Sequence, residues 1–489
     1  MGARAGREYL DSLRDSREVW LDGERVTDVT TDARLRAMPL SLAELYDMQH
    51  APEFAAALTF PSPTTGALVG LSHIQPRSEG DLRRRRDMVK IWMDRCGGMM
   101  GRTPDFINVM VAAFAAGHAH FAASRTAFGD NIRAYHAHIR ELDLALTHSL
   151  VTPEIDKSKP IFAQPGDIAM KVVRETDGGI VVAGARSIAT LAPFANEILI
   201  FPSPARIAPA EESARYVVGF AVPVATPGLR MICRPSLAVP GARVIDHPLS
   251  ARMDEMDAVV WFDDVLIPWE RVFLYRDLEA ANRIRGLATA HGMHQTNTKN
   301  LAKAEFLLGI ALAVAESTRG DRQPQVQNLL AEMINGVEVI RGLLRASEVD
   351  CVPGPDGTVL PDEQPLWAIR GMFPAFNARM VEIIQLLGAG SLVLAPGVGE
   401  LAGGAADAVA AYCAGATLPA ERRLALLRMA WDASCSGFAG RQVLYERFFS
   451  GDPWRSAITR AETYARADAL KERVWDFLDR SAAWDRRLR

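Results

Sequence analysis

The feature that most constrains this chain is a change of pattern. Between about residue 155 and residue 275, short β-type runs replace the helical periodicity that dominates on both sides. Val172 to Thr176 and Gly179 to Ala183 are two such runs, joined at Asp177-Gly178, a hairpin signal. Tyr216 to Val222 and Ala258 to Phe262 are further strands. Pro202, Pro204 and Pro209 make the link before Tyr216 a long polar loop, a candidate lid. At 489 residues the chain is too long for one core. The pattern predicts a helical domain over 1–154, a compact β-barrel over 155–279 and a helical bundle over 280–489.

Within the first part, Ser41 and Glu44 read as a capping box. Ile132, Tyr135, Ile139, Leu142 and Leu146 recur at helical spacing, with Asp130 as cap, so that helix delivers His148 at its C-terminal end before Pro153. In the last part, Leu301 to Ser317, Val326 to Leu344 and Met380 to Leu387 read as helices, and Thr417-Leu-Pro419 starts another. Ala461 to Arg489 is charged and amphipathic and suits packing on a neighbouring subunit.

A net charge of −4 argues against a general nucleic-acid surface. No apolar run reaches the roughly 18–20 residues of a membrane span. The charged start lacks an apolar signal region, so a cytoplasmic protein is expected. The five cysteines are scattered without a CxxC pair and give no metal framework.

Several motifs admit a chemical reading and a plain one. His118 and His120, like His136 and His138, lie two apart, so on a helix their side chains diverge by roughly 200° and cannot chelate; surface histidines are expected. Gly397-Val-Gly-Glu-Leu-Ala402 fits a dinucleotide fingerprint on paper, but Pro396 and flanking helical patterns make it a helix-connecting loop. Arg83 to Arg86 reads as a solvated basic face. In Met100-Gly-Arg-Thr-Pro-Asp-Phe106, Thr103 caps a helix whose first turn Pro104 sets, leaving Arg102 just ahead of it. From the residues alone, Arg102 fits a structural ion pair and His148 a core histidine.

Gly101-Arg-Thr-Pro-Asp105, Thr176 to Ala185, Asp264 to Glu270, Gly440-Arg441 and Leu444-Tyr-Glu446, with Arg17 to Val26, carry a resemblance along nearly the whole chain. In order and spacing they resemble the two-component, reduced-flavin-dependent monooxygenases typified by the large subunit of 4-hydroxyphenylacetate 3-monooxygenase. That resemblance implies an α-rich acyl-CoA dehydrogenase-like fold with a central β domain, as a homotetramer. It implies FADH2 supplied by a separate NAD(P)H-flavin reductase, O2 as co-substrate, and hydroxylation of a phenolic small molecule, free or carrier-bound, through a C4a-hydroperoxyflavin. Arg102 and His148 become catalytic and substrate-binding candidates, with Phe106 and Ser203 as further substrate contacts. Flavin candidates are His148, Ser149, Leu150, Glu154, Ile155, Asp156, Lys157, Thr190, Ser436, Gly437, Phe438 and Ala439. Gly437 and Ala439 depart from the Glu and Gly of the type enzyme. Phe106 stands where those enzymes carry Tyr, and His294, with His291, is a second departure that adds a catalytic candidate. Two alternatives accompany this reading: a lyase like the FAD-containing 4-hydroxybutyryl-CoA dehydratases, whose cluster needs three Cys and one His, and a non-catalytic flavin-binding subunit.

Overall fold

In the computed structural model, residues 2–202 and 211–488 are described. The strands run β1 (Glu18–Leu21), β2 (Glu24–Val26), β3 (Thr59–Pro61), β4 (Leu68–Gly70), β5 (Leu146–Ser149), β6 (Lys171–Thr176), β7 (Gly179–Thr190), β8 (Glu197–Ile200), β9 (Val218–Pro223), β10 (Leu229–Cys233), β11 (Asp257–Pro268) and β12 (Val272–Tyr275). Ten of them form a six-stranded sheet, β2-β1-β10-β11-β7-β6, and a four-stranded one, β12-β9-β8-β5, while β3 and β4 pair with each other. Ile180, Val182, Val260 and Phe262 from the first and Ile198, Ile200 and Phe220 from the second share one buried core, where the Phe220 and Phe262 rings meet edge to face. The expected compact β-barrel takes the form of these two sheets packed over one core. The Asp177-Gly178 hairpin is present, pairing Thr176 with Gly179.

The β part also recruits the N-terminal segment. Asp22 and Gly23, both at positive φ, turn β1 into β2, and β1 pairs in parallel with β10. Asp-Gly at that turn is the residue pair such a hairpin demands. His148 is corrected too. The helix Thr126–Leu142 ends at Asp143, in the left-handed conformation, and His148 rides on β5 beside β8. Asp130 lies inside that helix, not at its cap. Ser41 is likewise interior, donating to the Ala37 carbonyl within Ala37–Met48, so the capping box does not form. His136 is buried on the His73 carbonyl instead of lying at the surface.

The helical bundle is organised by one 33-residue helix, Arg285–Ser317, packed against Pro324–Val349, Glu363–Leu394, Ala420–Ser434 and the N-terminal helices Glu79–Arg95 and Pro104–Ala116. Its central stretch buries polar side chains, among them Gln295, Asn297, Lys299 and Lys303. Burying such groups is tolerable only when partners satisfy them. The Gly397–Ala402 motif is a 3-10 turn between helices, Val398–Ala402, with no strand before it. No single helix among the described residues is long and apolar enough to cross a membrane.

Candidate active site

The loop ahead of Pro104 is held by three neighbours. Gln442 Nε2 donates to the Met99 carbonyl at 2.8 Å. Gly101 packs so closely on Tyr445 that a Cβ there would stand 2.6 Å from its hydroxyl oxygen. The backbone N–H of Arg102 donates to Glu255 Oε1 at 2.5 Å. Pro104 is the first residue of the helix, as expected, and Thr103 occupies the N-cap position without a side-chain cap bond.

Arg102 is 8% exposed. Its Cζ lies 4.4 Å from the Phe106 ring centre and 4.1 Å from that of Phe449. Cation–π contacts of this kind strengthen when water is excluded. Among the described residues its guanidinium makes one hydrogen bond, to the Gly101 carbonyl at 3.3 Å, and no ion pair with a carboxylate. The structural ion pair therefore does not form. The His148 ring is 5.7 Å from that of Phe106, and its buried Nδ1 has no hydrogen-bond partner. Burial, then the charge on Arg102, hold His148 well below the ordinary histidine range, so the ring is neutral at pH 7.

Buried charges ring this cluster. Lys299 donates to both oxygens of Glu446, and Lys303 to Glu446 and Gln442. Burial pulls Lys299 down to about 8, while the two lysines take Glu446 down to about 2. Lys299 Nζ lies 4.6 Å from the Phe449 ring centre. Asp105, pushed up to about 6 by burial, accepts from Gln295 Nε2 at 2.6 Å.

The flavin candidates fall into two groups. Ser149 and Thr190 are buried and their hydroxyl protons are committed, to the Ser187 carbonyl and to Asp257 Oδ1. Ser436 caps the helix Gly437–Phe448, accepting from the Ala439 N–H, and Phe438 and Ala439 are buried behind it. That leaves a helix N-terminus with Gly437 exposed, the kind of end that favours an anionic or acceptor group. Leu150 is half-buried, Glu154, Ile155 and Lys157 are exposed, and the Ile155 and Asp156 N–H groups are tied to Gln164. The donors that could serve the edge and phosphates of a flavin are thus Lys157 and the first N–H groups of the helix Gly437–Phe448; the hydroxyls of Ser149 and Thr190 can offer only lone pairs. Ser203, with Pro204 and Pro209 of the expected lid, lies outside the described residues; Glu211–Tyr216 forms a 3-10 turn.

His294 belongs to a different cluster. Arg85 Nη2 donates to Nδ1 of His291 at 3.0 Å and of His294 at 3.3 Å, and His294 Nε2 donates to Glu348 Oε1 at 3.0 Å. Arg86 completes it on Glu348 Oε2. The basic run is therefore split: Arg83 and Arg84 are exposed, but Arg85 is 1% exposed. Its place in the stripe Leu82, Arg85, Val89, Trp92 was the available signal. Tyr445, Phe449, Lys299, Glu255 and Arg85 had no role on sequence grounds.

Models for the N-terminal and C-terminal parts of 4-hydroxyphenylacetate 3-hydroxylase match residues 5–274 and 285–479. The oxygenase component of 4-hydroxyphenylacetate 3-monooxygenase from Thermus thermophilus is 39% identical over 98% of each chain. A Streptomyces globisporus monooxygenase named for a peptidyl-carrier-bound 3-amino-3-(3-chloro-4-hydroxyphenyl)propanoyl substrate is 33% identical over 91% of this chain and 85% of its own. A crystal structure of such an oxygenase component with FAD and 4-hydroxyphenylacetate superposes with a TM-score of 0.93, at 38% identity, over 98% of this chain and 99% of that one. With both halves matched, and with the buried Arg102 and Phe106 beside the half-buried His148, the chain belongs to the 4-hydroxyphenylacetate 3-hydroxylase family of flavin-dependent monooxygenases.

Proposed function

We propose that this chain is the oxygenase component of a two-component monooxygenase that uses FAD, delivered reduced by a separate reductase, and O2 to hydroxylate a phenol. The observation that carries this reading is the state of Arg102: a buried cation with no carboxylate partner among the described residues, held between two aromatic rings beside a neutral histidine. A phenol whose oxygen approaches Arg102 is favoured as its phenolate by opposite charge. His148 Nδ1, neutral and without a partner among the described residues, accepts a hydrogen bond from the phenolic hydroxyl. Phe106 and Phe449 close the pocket to water and present apolar faces to the ring. The flavin, when bound, supplies an activated oxygen atom to the electron-rich ring carbon; Ser436 to Ala439 and Glu154 to Lys157 are the segments that would hold it. The apolar side chains Val474, Trp475, Phe477 and Leu478 are exposed on the terminal helix Ala467–Leu488, which supports its packing on another subunit of a homotetramer.

The lyase alternative lacks its ligands. Cys96 is buried on the Met93 carbonyl, and no group of three or more His, Cys, Asp or Glu is placed to hold a metal among the described residues. The substrate class is tested by mass: phenols and carrier-tethered phenols are incubated with the chain and chemically reduced FAD in air. A gain of one oxygen is the expected outcome. Uniform recovery of unmodified phenol, with peroxide as the product, would count against it.

A further inference from the structure

The helix Gly437–Phe448 meets the flavin candidates at its N-terminus and Arg102 along one face. Arg441, Tyr445 and Phe449 recur every four residues, so they share a stripe. Tyr445 lies under Gly101, and Phe449 covers the Arg102 guanidinium. Arg441 bridges two carboxylates. Its Nε and Nη2 donate to Asp257 at 3.0 and 2.7 Å, and its Nη1 reaches Glu255 Oε2 at 3.4 Å. Glu255 is fully buried, and its other oxygen accepts the Arg102 backbone N–H. Asp257 also accepts the Thr190 hydroxyl at 2.7 Å. A continuous chain, Thr190, Asp257, Arg441, Glu255, thus ends on the peptide that carries the substrate-site arginine.

We infer that Arg441 and Glu255 are positioning residues: they fix the backbone of Arg102 so that its guanidinium meets the phenolate oxygen. Neither need touch substrate. The inference rests on the phenol-site reading of Arg102. A charged fork that spans two carboxylates at once cannot be replaced by the single ammonium of lysine. Arg441→Lys keeps the charge and loses the bridge, and Glu255 is then free to release the Arg102 N–H.

The test uses the flavin-free full chain with 4-nitrophenol, whose phenolate absorbs in the visible and so reports both binding and ionisation. Wild type is expected to bind it with an enlarged phenolate fraction at fixed pH. Arg441→Lys and Glu255→Gln are expected to weaken binding about tenfold, the size of one charge-assisted hydrogen bond, and to lower the bound phenolate fraction. Hydrogen exchange of the peptide covering 99–103 should speed up in both, and FAD binding without phenol should change less than about threefold. Arg102→Ala separates the two layers. If it abolishes the phenolate signal while both variants keep wild-type signal and wild-type exchange, the positioning inference is overturned and the site survives. If Arg102→Ala changes nothing, or wild type shows no signal, the phenol-site reading fails and the inference with it. If one variant does not fold, the other decides.

Discussion

Arg102 and Arg85 are both buried, and each has histidine beside it. Their surroundings differ in what is satisfied. Around Arg85 the polar groups close on one another: guanidinium to His291 and His294, His294 to Glu348, Glu348 to Arg86. Around Arg102 the contacts are aromatic rings, the carboxylate Glu255 engages only its backbone N–H, and His148 Nδ1 has no partner. A closed network pins helices together; an arginine without a carboxylate and a neutral histidine can spend their capacity on a ligand. The same residue types therefore close on one another in one place and leave capacity for a ligand in the other, as the proposed function requires.

The contrast can be broken most strongly by removing one member from each side. Glu348→Ala strands the buried Arg85, His291 and His294 and frees the half-buried Arg86, and breaking such a set costs about 3–5 kcal/mol of stability. The fraction that folds should retain its turnover within a few-fold. Arg102→Ala and His148→Ala should do the opposite, lowering hydroxylation about 10²-fold or more while denaturation midpoints barely move. Urea melts and initial rates on the same preparations would show it. A stable Glu348→Ala with lost activity would place chemistry in the second cluster.

Acid sharpens the comparison. His291 and His294 are held well below the ordinary histidine value of 6.5, chiefly by burial and then by Arg85. Below pH 6.5 the unfolded chain takes up protons that these rings refuse in the folded state, so stability falls as pH falls. Glu348, pushed up to about 7 by burial, works in the other sense. Between pH 4.5 and 7 the folded state keeps its proton while the unfolded state releases it, so it favours folding on acidification. Two histidines outweigh one carboxyl, and the net is acid destabilisation. Replacing both histidines with Asn should remove the acid destabilisation between pH 7.5 and pH 5 and leave the opposite contribution of Glu348; an unaltered slope in urea titrations would show that the rings do not titrate as buried neutral groups.

A smaller effect is expected at Phe106. A tyrosine hydroxyl there would compete with the substrate for Arg102 and His148, or stay unpaired at a cost of about 1–3 kcal/mol. Phe106→Tyr should weaken turnover of the true substrate and raise trace activity on 4-hydroxyphenylacetate. The ratio of the two kcat/KM values reads this directly; an unchanged ratio would mean that position 106 does not contact the substrate.

Much of this was legible before any coordinates. The hairpin at Asp177-Gly178, the Thr103-Pro104 helix start and the long helices of the bundle follow from local residue types. The pairing of Arg102 with Phe106 came from a motif; their contact with Phe449 did not, because 343 or more residues separate them and only tertiary packing joins them. Helical spacing through Leu146 hid β5, since Leu146 is buried against a sheet as readily as along a helix. Arg85 was read with its exposed neighbours although it sits on the apolar stripe. His294 drew attention as a buried-helix histidine, but periodicity does not say which side of that helix faces the flavin segments and which faces Glu348.

The most direct measurement of the central claim is a single-turnover experiment in which the chain, reduced FAD prepared without enzyme, a phenol and air are mixed, and product mass and NADH consumption are followed separately. The account predicts a phenol heavier by one oxygen, dependent on Arg102, and no NADH oxidation by the chain alone. Robust NADH oxidation without a reductase, or oxygen insertion undiminished in Arg102→Ala, would contradict it.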